Sequence, residues 1–185
     1  MRLHQADPPM YDDLHILTGA PGSGKSAILA GAGENVRWVG EPAREVLAWQ
    51  RSIDGGGTPE RDAALFVHLL LQRSIDDHRD AMRSEGAVLF DRGIPDCIAY
   101  AELLGTDPQP GIEAAAAYRY NRNVLVTRPW EEIYTTDDER TMTFDATVEF
   151  QLLIEAAYAH AGYTLVEVPR GSVEQRVAFV RELLV

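Results

Sequence analysis

The chain has 185 residues, of which 45% are apolar, and this length and composition suit one folded domain and exclude a disordered chain. Its net charge of -12 argues against nucleic-acid and anionic-membrane partners, which need basic patches, and no apolar run is long enough to cross a membrane. Cys97 is the single cysteine, which excludes an intramolecular disulfide and predicts a cytoplasmic setting.

Short apolar runs alternate with longer helical patterns along most of the chain. Residues 1–12 lack the apolar stretch of a secretory signal and are predicted to form a loose arm before a single domain at 13–185. The predicted strands are 14–19, 36–41, 87–92, 123–128 and 163–168. The predicted helices include 62–83, 95–104, 111–120, 144–160 and a last one after Ser172. This alternation is typical of an α/β fold with helices on both faces of a parallel sheet.

The spacing of apolar residues predicts the buried face of the three most regular helices. In 62–83 the predicted stripe is Ala64, Val67, Leu71, Ile75 and Met82. In 144–160 the predicted stripe is Phe144, Val148, Leu152 and Ala156. The last helix begins with Ser172 and Gln175 at the spacing of a capping box. Its predicted inner face is Val173, Val177, Val180 and Leu184.

The stretch after the first strand is predicted to bind phosphate. Gly19, Gly24, Lys25 and Ser26 satisfy the pattern G-x-x-x-x-G-K-[ST], and a helical stretch follows. Glycines allow several backbone N–H groups to face one anion, and the helix N-terminus adds partial positive charge. Lys25, the only lysine, would reach the β and γ phosphates, and the Ser26 hydroxyl would join a Mg²⁺ ion. The predicted nucleotide-binding residues are Gly19, Ala20, Pro21, Gly22, Ser23, Gly24, Lys25, Ser26 and Ala27.

Glu41 ends the second predicted strand, at the edge of the sheet where the phosphate loop is also expected. A carboxylate at this edge would accept a proton from an attacking hydroxyl, as a general base, and would also orient the acceptor. The alternative is that Glu41 stabilises the N-terminus of the helix that begins near Pro42. Arg44, one turn further on, is predicted either to bind substrate or to pair with Glu41.

The third predicted strand ends in Asp91, in the form of a Walker B strand whose carboxylate holds Mg²⁺. The alternative for Asp91 is a cap of the next helix, and both roles are compatible. Arg92 follows, and its planar fork suits a substrate hydroxyl or phosphate, with a salt bridge as the alternative. Asp96 is predicted to hold either Arg92 or the substrate.

The polar, irregular stretch at 128–144 follows the fourth predicted strand. Arg140 in this stretch is predicted to cover the phosphates, neutralise developing charge and exclude water, because hydrolysis of ATP is the competing reaction. Arg128 is a second candidate for the same role. For either arginine the alternative is a solvated surface charge.

These motifs together resemble the P-loop kinases of small molecules, including the deoxynucleoside and thymidylate kinases. The chain more closely resembles the AAA-domain family that includes the kinase domain of the bacterial nicotinamide-riboside kinase and adenylyltransferase. The stretches that carry this resemblance lie within residues 14–181 and read TGAPGSGKS, EPAREVL, FDRGIPDCIAY, WEEIYTTDDER and GYTLVEVP. The resemblance implies a five-stranded parallel sheet of order 2-3-1-4-5, a lid near Arg140, and residues 168–176 beside the adenine. A single lid arginine among acidic residues departs from the arginine-rich lid of the deoxynucleoside kinases.

The sequence therefore predicts a three-layer α/β/α P-loop protein that uses ATP and Mg²⁺ to phosphorylate a hydroxyl or phosphate of a small, nucleoside-like molecule. The alternative is a nucleotide-binding regulatory switch or NTPase without a small-molecule acceptor. A guanine-reading N/T-K-x-D motif is missing after the fourth predicted strand, which favours ATP over GTP. A ring ATPase is disfavoured, because residue 92 is arginine where such proteins carry glutamate. The acceptor and the oligomeric state stay open.

Overall fold

Five short strands form one parallel sheet in the computed structural model, which describes residues 10–32, 36–134 and 142–184. The strands are β1 (Leu14–Thr18), β2 (Arg37–Val39), β3 (Val88–Asp91), β4 (Asn123–Val126) and β5 (Thr164–Glu167). Their order is β2-β3-β1-β4-β5, and every pairing is parallel. The sheet order that the family resemblance implied is thereby confirmed.

Helices cover both faces of this sheet. They are α1 (Lys25–Ala32), α2 (Pro42–Ser52), α3 (Ala63–Ala81), α4 (Ile94–Leu103), α5 (Gln109–Ala117), α6 (Phe144–His160) and α7 (Val173–Glu182), with a 3-10 turn at Glu131–Ile133. Strand residues alternate between the two faces, so Ile16 packs with α2 to α6 whereas Leu17 packs with α1 and α7. The three-layer α/β/α prediction is confirmed.

The central strands β1, β3 and β4 are nearly continuous apolar runs because both faces of the sheet are covered there. All five residues of β1 are buried, and so are all four of β3. β1 lies in the centre of the sheet, between β3 and β4, and it leads directly into the phosphate loop. The loop is therefore anchored on a fully buried strand at the centre of the sheet.

The buried face of α6 differs from the predicted stripe. Val148, Leu152 and Ala156 are exposed, and Phe144 is only half-buried. The inward residues of α6 are Thr147, Phe150, Gln151, Ile154, Ala157 and Tyr158. The prediction was wrong because α6 packs against α4 and β5, and the inner face that these contacts select includes two polar residues that an apolar count passes over.

Two other helices follow their predictions in part. In α3, Val67, Leu71 and Ile75 are buried as predicted, whereas Ala64 and Met82 are exposed. In α7, the capping box of Ser172 and Gln175 is confirmed. Its residues Val177, Val180 and Leu184 are buried, whereas Val173 is exposed.

Residues 1–9 of the predicted arm lie outside the described residues. Met10 and Tyr11, which were assigned to the same arm, pack against the core, and the Tyr11 ring meets His78 edge to face. Of the helices in the described ranges, none combines the length and apolar character that crossing a membrane requires.

The two faces of α6 give the first testable prediction. Ile154 is fully buried, so Ile154→Ala should lower the free energy of unfolding by about 2–5 kcal/mol. Leu152 is 63% exposed, so Leu152→Ala, the matched control, should change it by less than about 0.5 kcal/mol. Urea denaturation followed by circular dichroism measures both values. Equal losses in the two variants would contradict the observed orientation of α6.

Candidate active site

The phosphate loop takes a backbone conformation that strongly favours glycine at three positions. Gly19, Gly22 and Gly24 have φ values of 143°, 77° and 84°. A Cβ atom on Gly19 would lie 2.1 Å from the Thr127 carbonyl oxygen, so the space is closed as well. The loop opens into the N-terminus of α1, which begins at Lys25. Backbone N–H groups and a helix N-terminus thus meet at the carboxyl end of β1, as an anion site requires.

Lys25 is buried against the loop that precedes it. Its Nζ donates to the carbonyl oxygen of Gly19 at 2.6 Å and to that of Ala20 at 3.4 Å. Burial lowers the pKa of Lys25 from 10.5 to about 8, and the charge of Arg92 lowers it further, whereas the charges of Asp91 and Glu41 oppose the change. Burial therefore disfavours the charged form of Lys25, and a bound phosphate would stabilise that form.

Asp91 ends β3 beside Leu17 of β1, so its carboxyl group lies next to the start of the phosphate loop. The side chain is buried, and its Oδ1 atom has no hydrogen-bond partner among the described residues. Burial raises the pKa of Asp91, although the charge of Lys25 opposes this change. This Oδ1 atom is therefore available to a hard cation such as Mg²⁺, which prefers oxygen ligands.

Ser26 is the second predicted metal ligand, in the first turn of α1, and its side chain is exposed, as is that of Ala27. A serine hydroxyl and one carboxylate suit Mg²⁺, which keeps several waters and binds substrate phosphates as well. Within 10–32, 36–134 and 142–184 no group of three or more His, Cys, Asp or Glu side chains could hold a metal ion. Asp91 and Ser26 therefore fit a site shared with a nucleotide better than an all-protein one.

Arg92 forms the centre of a buried ion-pair network. Its backbone has a positive φ of 75°, which is uncommon outside glycine. Its Nε donates to Glu41 Oε1 at 2.8 Å, and its Nη1 donates to Asp96 Oδ1 at 2.9 Å. The guanidinium also lies over the rings of Tyr100 and Phe150. The predicted salt-bridge alternative for Arg92 is thus realised.

Asp96 is saturated by protein donors. It accepts from Arg92 and from the Thr18 hydroxyl on Oδ1, and from the Tyr158 hydroxyl at 2.5 Å and the Gly93 backbone N–H on Oδ2. The carboxylate is 2% exposed. Of the two predicted alternatives for Asp96, this geometry favours holding Arg92 over binding substrate.

Glu41 occupies the N-cap position of α2, but its side chain makes no capping hydrogen bond. Its carboxylate instead accepts from Arg92 and from Arg44 Nε at 2.9 Å. Burial alone would raise the pKa of Glu41, but the charges of Arg92 and Lys25 and the bond to Arg92 outweigh it and lower the pKa to about 2. Glu41 is therefore ionised and only weakly basic.

The two arginines predicted after β4 have different outcomes. Arg140 lies outside the described residues. Arg128 is half-exposed and pairs with Glu155 through Nε at 3.0 Å and with Glu167 through Nη1 at 3.0 Å. Arg128 is thus engaged in surface ion pairs, which favours its predicted alternative as a surface charge.

Three contacts of the phosphate loop come from distant parts of the chain and were missed by the sequence analysis. Arg176 donates to the Ser23 carbonyl oxygen at 2.8 Å, and Gln151 accepts from the Ala20 N–H at 2.8 Å. The Tyr134 ring lies against Gly22, where a Cβ atom would come within 2.6 Å of it. No local pattern marks these residues, although the stretches named for the family resemblance include Tyr134 and Arg176.

Comparisons with known proteins agree with this geometry. The family described as AAA domain matches residues 14–176. No curated protein matches the chain. Among solved structures, the chain is similar to the NadR protein in complex with NR, with 16% identity and a TM-score of 0.68 over 93% of this chain and 52% of that chain. The chain thus spans about half the length of that NadR chain.

Two further solved structures match over nearly their whole length. Deoxyadenosine kinase from M. mycoides with bound dATP has 15% identity and a TM-score of 0.64, over 91% of this chain and 97% of that chain. Thymidylate kinase from Ehrlichia chaffeensis has 15% identity and a TM-score of 0.57, over 95% of this chain and 99% of that chain. At these identities the likeness shows the fold.

The single lysine permits a direct test of the charge balance in this site. In protein labelled only at lysine, the Cε and Nζ resonances report Lys25 alone, and its pKa should be about 8 rather than 10.5. Addition of Mg-ATP should raise that pKa, since phosphate oxygens favour the ammonium form. Binding then takes up a proton, so ATP affinity should fall as the pH rises above 8. Titration near 10.5 in the protein without nucleotide would contradict the described burial.

Proposed function

Because the chain belongs to the AAA domain family, we propose that it is a kinase that uses ATP and Mg²⁺ to phosphorylate a hydroxyl or phosphate of a small, nucleoside-like molecule. The observation that carries this proposal is that Arg92, which follows Asp91 at the end of β3, holds the Glu41 carboxylate at 2.8 Å on the side of the sheet where the phosphate loop lies. The charge of Lys25 also lowers the pKa of Glu41. A motif that only binds phosphate has no need of a second, ionised carboxylate beside its lysine.

The donor half of the proposed site consists of the phosphate loop and the residues that would hold the metal. Loop N–H groups and Lys25 bind the phosphates of ATP. Ser26 and Asp91 would hold Mg²⁺, which neutralises charge on the phosphate oxygens when it is bound. The unpartnered Oδ1 of Asp91 supports this assignment.

The acceptor half is formed by Glu41 and Arg92. We assign Glu41 to accept a hydrogen bond from the acceptor hydroxyl and to orient its oxygen toward the γ phosphate. A carboxylate with a pKa of about 2 is a poor proton acceptor at neutral pH, so orientation outweighs general-base catalysis in this assignment. This suits phosphoryl transfer, in which positioning and charge stabilisation provide most of the rate.

Arg92 positions Glu41, and its remaining guanidinium nitrogen, Nη2, is free to bind the acceptor. Its Nε and Nη1 are bonded to Glu41 and Asp96, and Nη2 makes no hydrogen bond to any residue of the described ranges. We assign Nη2 to an acceptor oxygen. Arg44 adds charge beside Glu41, and Arg140 stays our candidate for covering the transferred phosphate.

The acceptor is assigned by analogy with the similar structures, two of which carry nucleosides or nucleotides in their names, NR and dATP. A sugar hydroxyl bound beside the Glu41–Arg92 pair would meet one acceptor, the Glu41 carboxylate, and one donor, Arg92 Nη2. The Tyr100 ring lies beside Arg92 and packs with Phe150, and we assign the part of Tyr100 that is not buried to contact the base. An assay of phosphate transfer from ATP to a set of nucleosides and nucleotides would identify the acceptor.

A nucleotide-dependent switch without an acceptor is the second candidate. The observation that favours it is the saturation of Asp96 and the pairing of Arg92 with two carboxylates, which closes the acceptor side with protein contacts. A switch would turn over ATP slowly and transfer phosphate to no nucleoside, so the same assay of phosphate transfer separates the two candidates.

Replacement of Glu41 tests the acceptor assignment. Glu41→Gln should lower kcat on the identified acceptor about a hundredfold, because the hydroxyl loses its orienting carboxylate, and should leave the Kd of Mg-ATP nearly unchanged. Glu45→Gln is the matched control, since Glu45 lies one turn along α2 and pairs with Arg73 instead. Steady-state kinetics and calorimetry measure the two quantities. Full turnover in Glu41→Gln would refute this role.

Replacement of Asp91 tests the metal assignment. The wild-type protein should bind ATP about tenfold more tightly with Mg²⁺ than with EDTA, and Asp91→Asn should lose most of that difference, because a neutral amide holds the cation less strongly. Calorimetric titration of ATP with and without Mg²⁺ provides the measurement. Binding in EDTA serves as the internal control and should be equal for the two proteins. An undiminished effect of Mg²⁺ in the variant would argue against Asp91 as a ligand.

A further inference from the structure

Arg176 of α7 lies against the phosphate loop and is 5% exposed. Its Nη2 donates to the Ser23 carbonyl oxygen at 2.8 Å. Its Nη1 lies so near Gly24 that a Cβ atom there would come within 2.4 Å of it. Helix α7 thus sends a guanidinium group to the peptide that joins Ser23 and Gly24, immediately before α1 begins.

The charge of Arg176 is not compensated by any of the residues that the structure describes. In the part of the chain that the structure describes, Arg176 has no carboxylate partner, and its Nε is buried without a hydrogen bond. Burial lowers the pKa of Arg176, and no neighbouring charge opposes this change. A buried cation without a counter-ion is destabilising, so this placement lacks an explanation from folding alone.

A second arginine of α7 shows what a purely structural placement looks like. Arg181 donates to the carbonyl oxygens of Gly31 and Ala32 at the C-terminal end of α1, where the helix dipole favours a cation. Arg176 lies at the opposite end of α1, where the partial positive charge disfavours it. The two arginines share a helix and a partner helix, but only Arg181 is placed favourably by the protein itself.

The bond to Ser23 also fixes the direction of a loop amide. In a trans peptide the C=O and N–H groups point in opposite directions. Because the Ser23 carbonyl oxygen faces Arg176, the Gly24 N–H points away from Arg176. A change in the Arg176 bond would therefore turn this donor.

We propose that Arg176 is a positioning residue for the nucleotide phosphates, holding the Ser23–Gly24 peptide in place and adding a positive charge that the bound triphosphate compensates. This inference rests on nucleotide binding in the proposed function but not on phosphoryl transfer to an acceptor. It gives α7 a role in the nucleotide site, through a residue 153 positions after Ser23.

Two variants separate the charge of Arg176 from its hydrogen bond. Arg176→Gln keeps a donor and removes the charge, whereas Arg176→Lys keeps the charge and removes the fork. The affinities for Mg-ATP and inorganic tripolyphosphate should fall by about tenfold to a hundredfold in Arg176→Gln, and less in Arg176→Lys. The thermal stability of Arg176→Gln without ligand should equal or exceed that of the wild-type protein, because an uncompensated charge is gone.

Arg181→Gln is the matched control. It should lower thermal stability, because α1 loses its C-terminal hydrogen bonds, and should leave the affinity for both triphosphates unchanged. Calorimetry and thermal denaturation, read for all four proteins, give the complete comparison. The opposite responses of the two glutamine variants are the expected result.

The inference is overturned if Arg176→Gln binds both triphosphates as tightly as the wild-type protein, or if Arg181→Gln weakens binding to the same extent. Failure of the proposed function gives different results. A wild-type protein that binds triphosphate but phosphorylates no nucleoside removes the kinase and leaves the role of Arg176 intact. A wild-type protein that binds neither triphosphate removes both.

Discussion

The buried chain of ion pairs from Glu41 through Arg92 to Asp96 is the interaction on which the rest of the site depends. It joins the end of β3 to the start of α2 and to the first turn of α4. Asp96 extends the network to Thr18 at the end of β1 and to Tyr158 on α6. Removing one partner of such a buried pair leaves an unpaired charge and lowers the free energy of unfolding by about 3–5 kcal/mol. The same contacts that stabilise the fold therefore fix the proposed acceptor carboxylate.

The electrostatics of the site divide the charged residues into two groups. In the first group, Arg92 stabilises the negative charge of Glu41 and lowers its pKa to about 2. In the second group, Asp91 is buried with an unpartnered oxygen, and burial raises its pKa. Lys25 has its positive charge disfavoured by burial, and Arg176 is similarly affected. The residues that the protein satisfies poorly are those assigned to the nucleotide and its metal. The residues that it satisfies well form the acceptor side.

The strands and the phosphate loop were predictable because their signals are local. An apolar run bounded by turns reveals β1, and the spacing from Gly19 to Ser26 reveals the loop. The inner face of α6 was not predictable, since it depends on which side α4 and β5 occupy. The saturation of Asp96 and the contact of Arg176 with Ser23 join residues far apart in sequence, and no periodicity records such pairs.

The crowding around the phosphate-loop glycines changes how the motif should be interpreted in distant sequences. The space at Gly19 is filled by Thr127, that at Gly22 by Tyr134 and that at Gly24 by Arg176. Side chains at these positions would collide with the protein itself, so a descendant that no longer bound nucleotide would still be selected to retain the glycines. Lys25 is different, because its burial opposes its charge and the fold gains little from it. Retention of the lysine, rather than of the glycines, is therefore the better evolutionary marker of a working site.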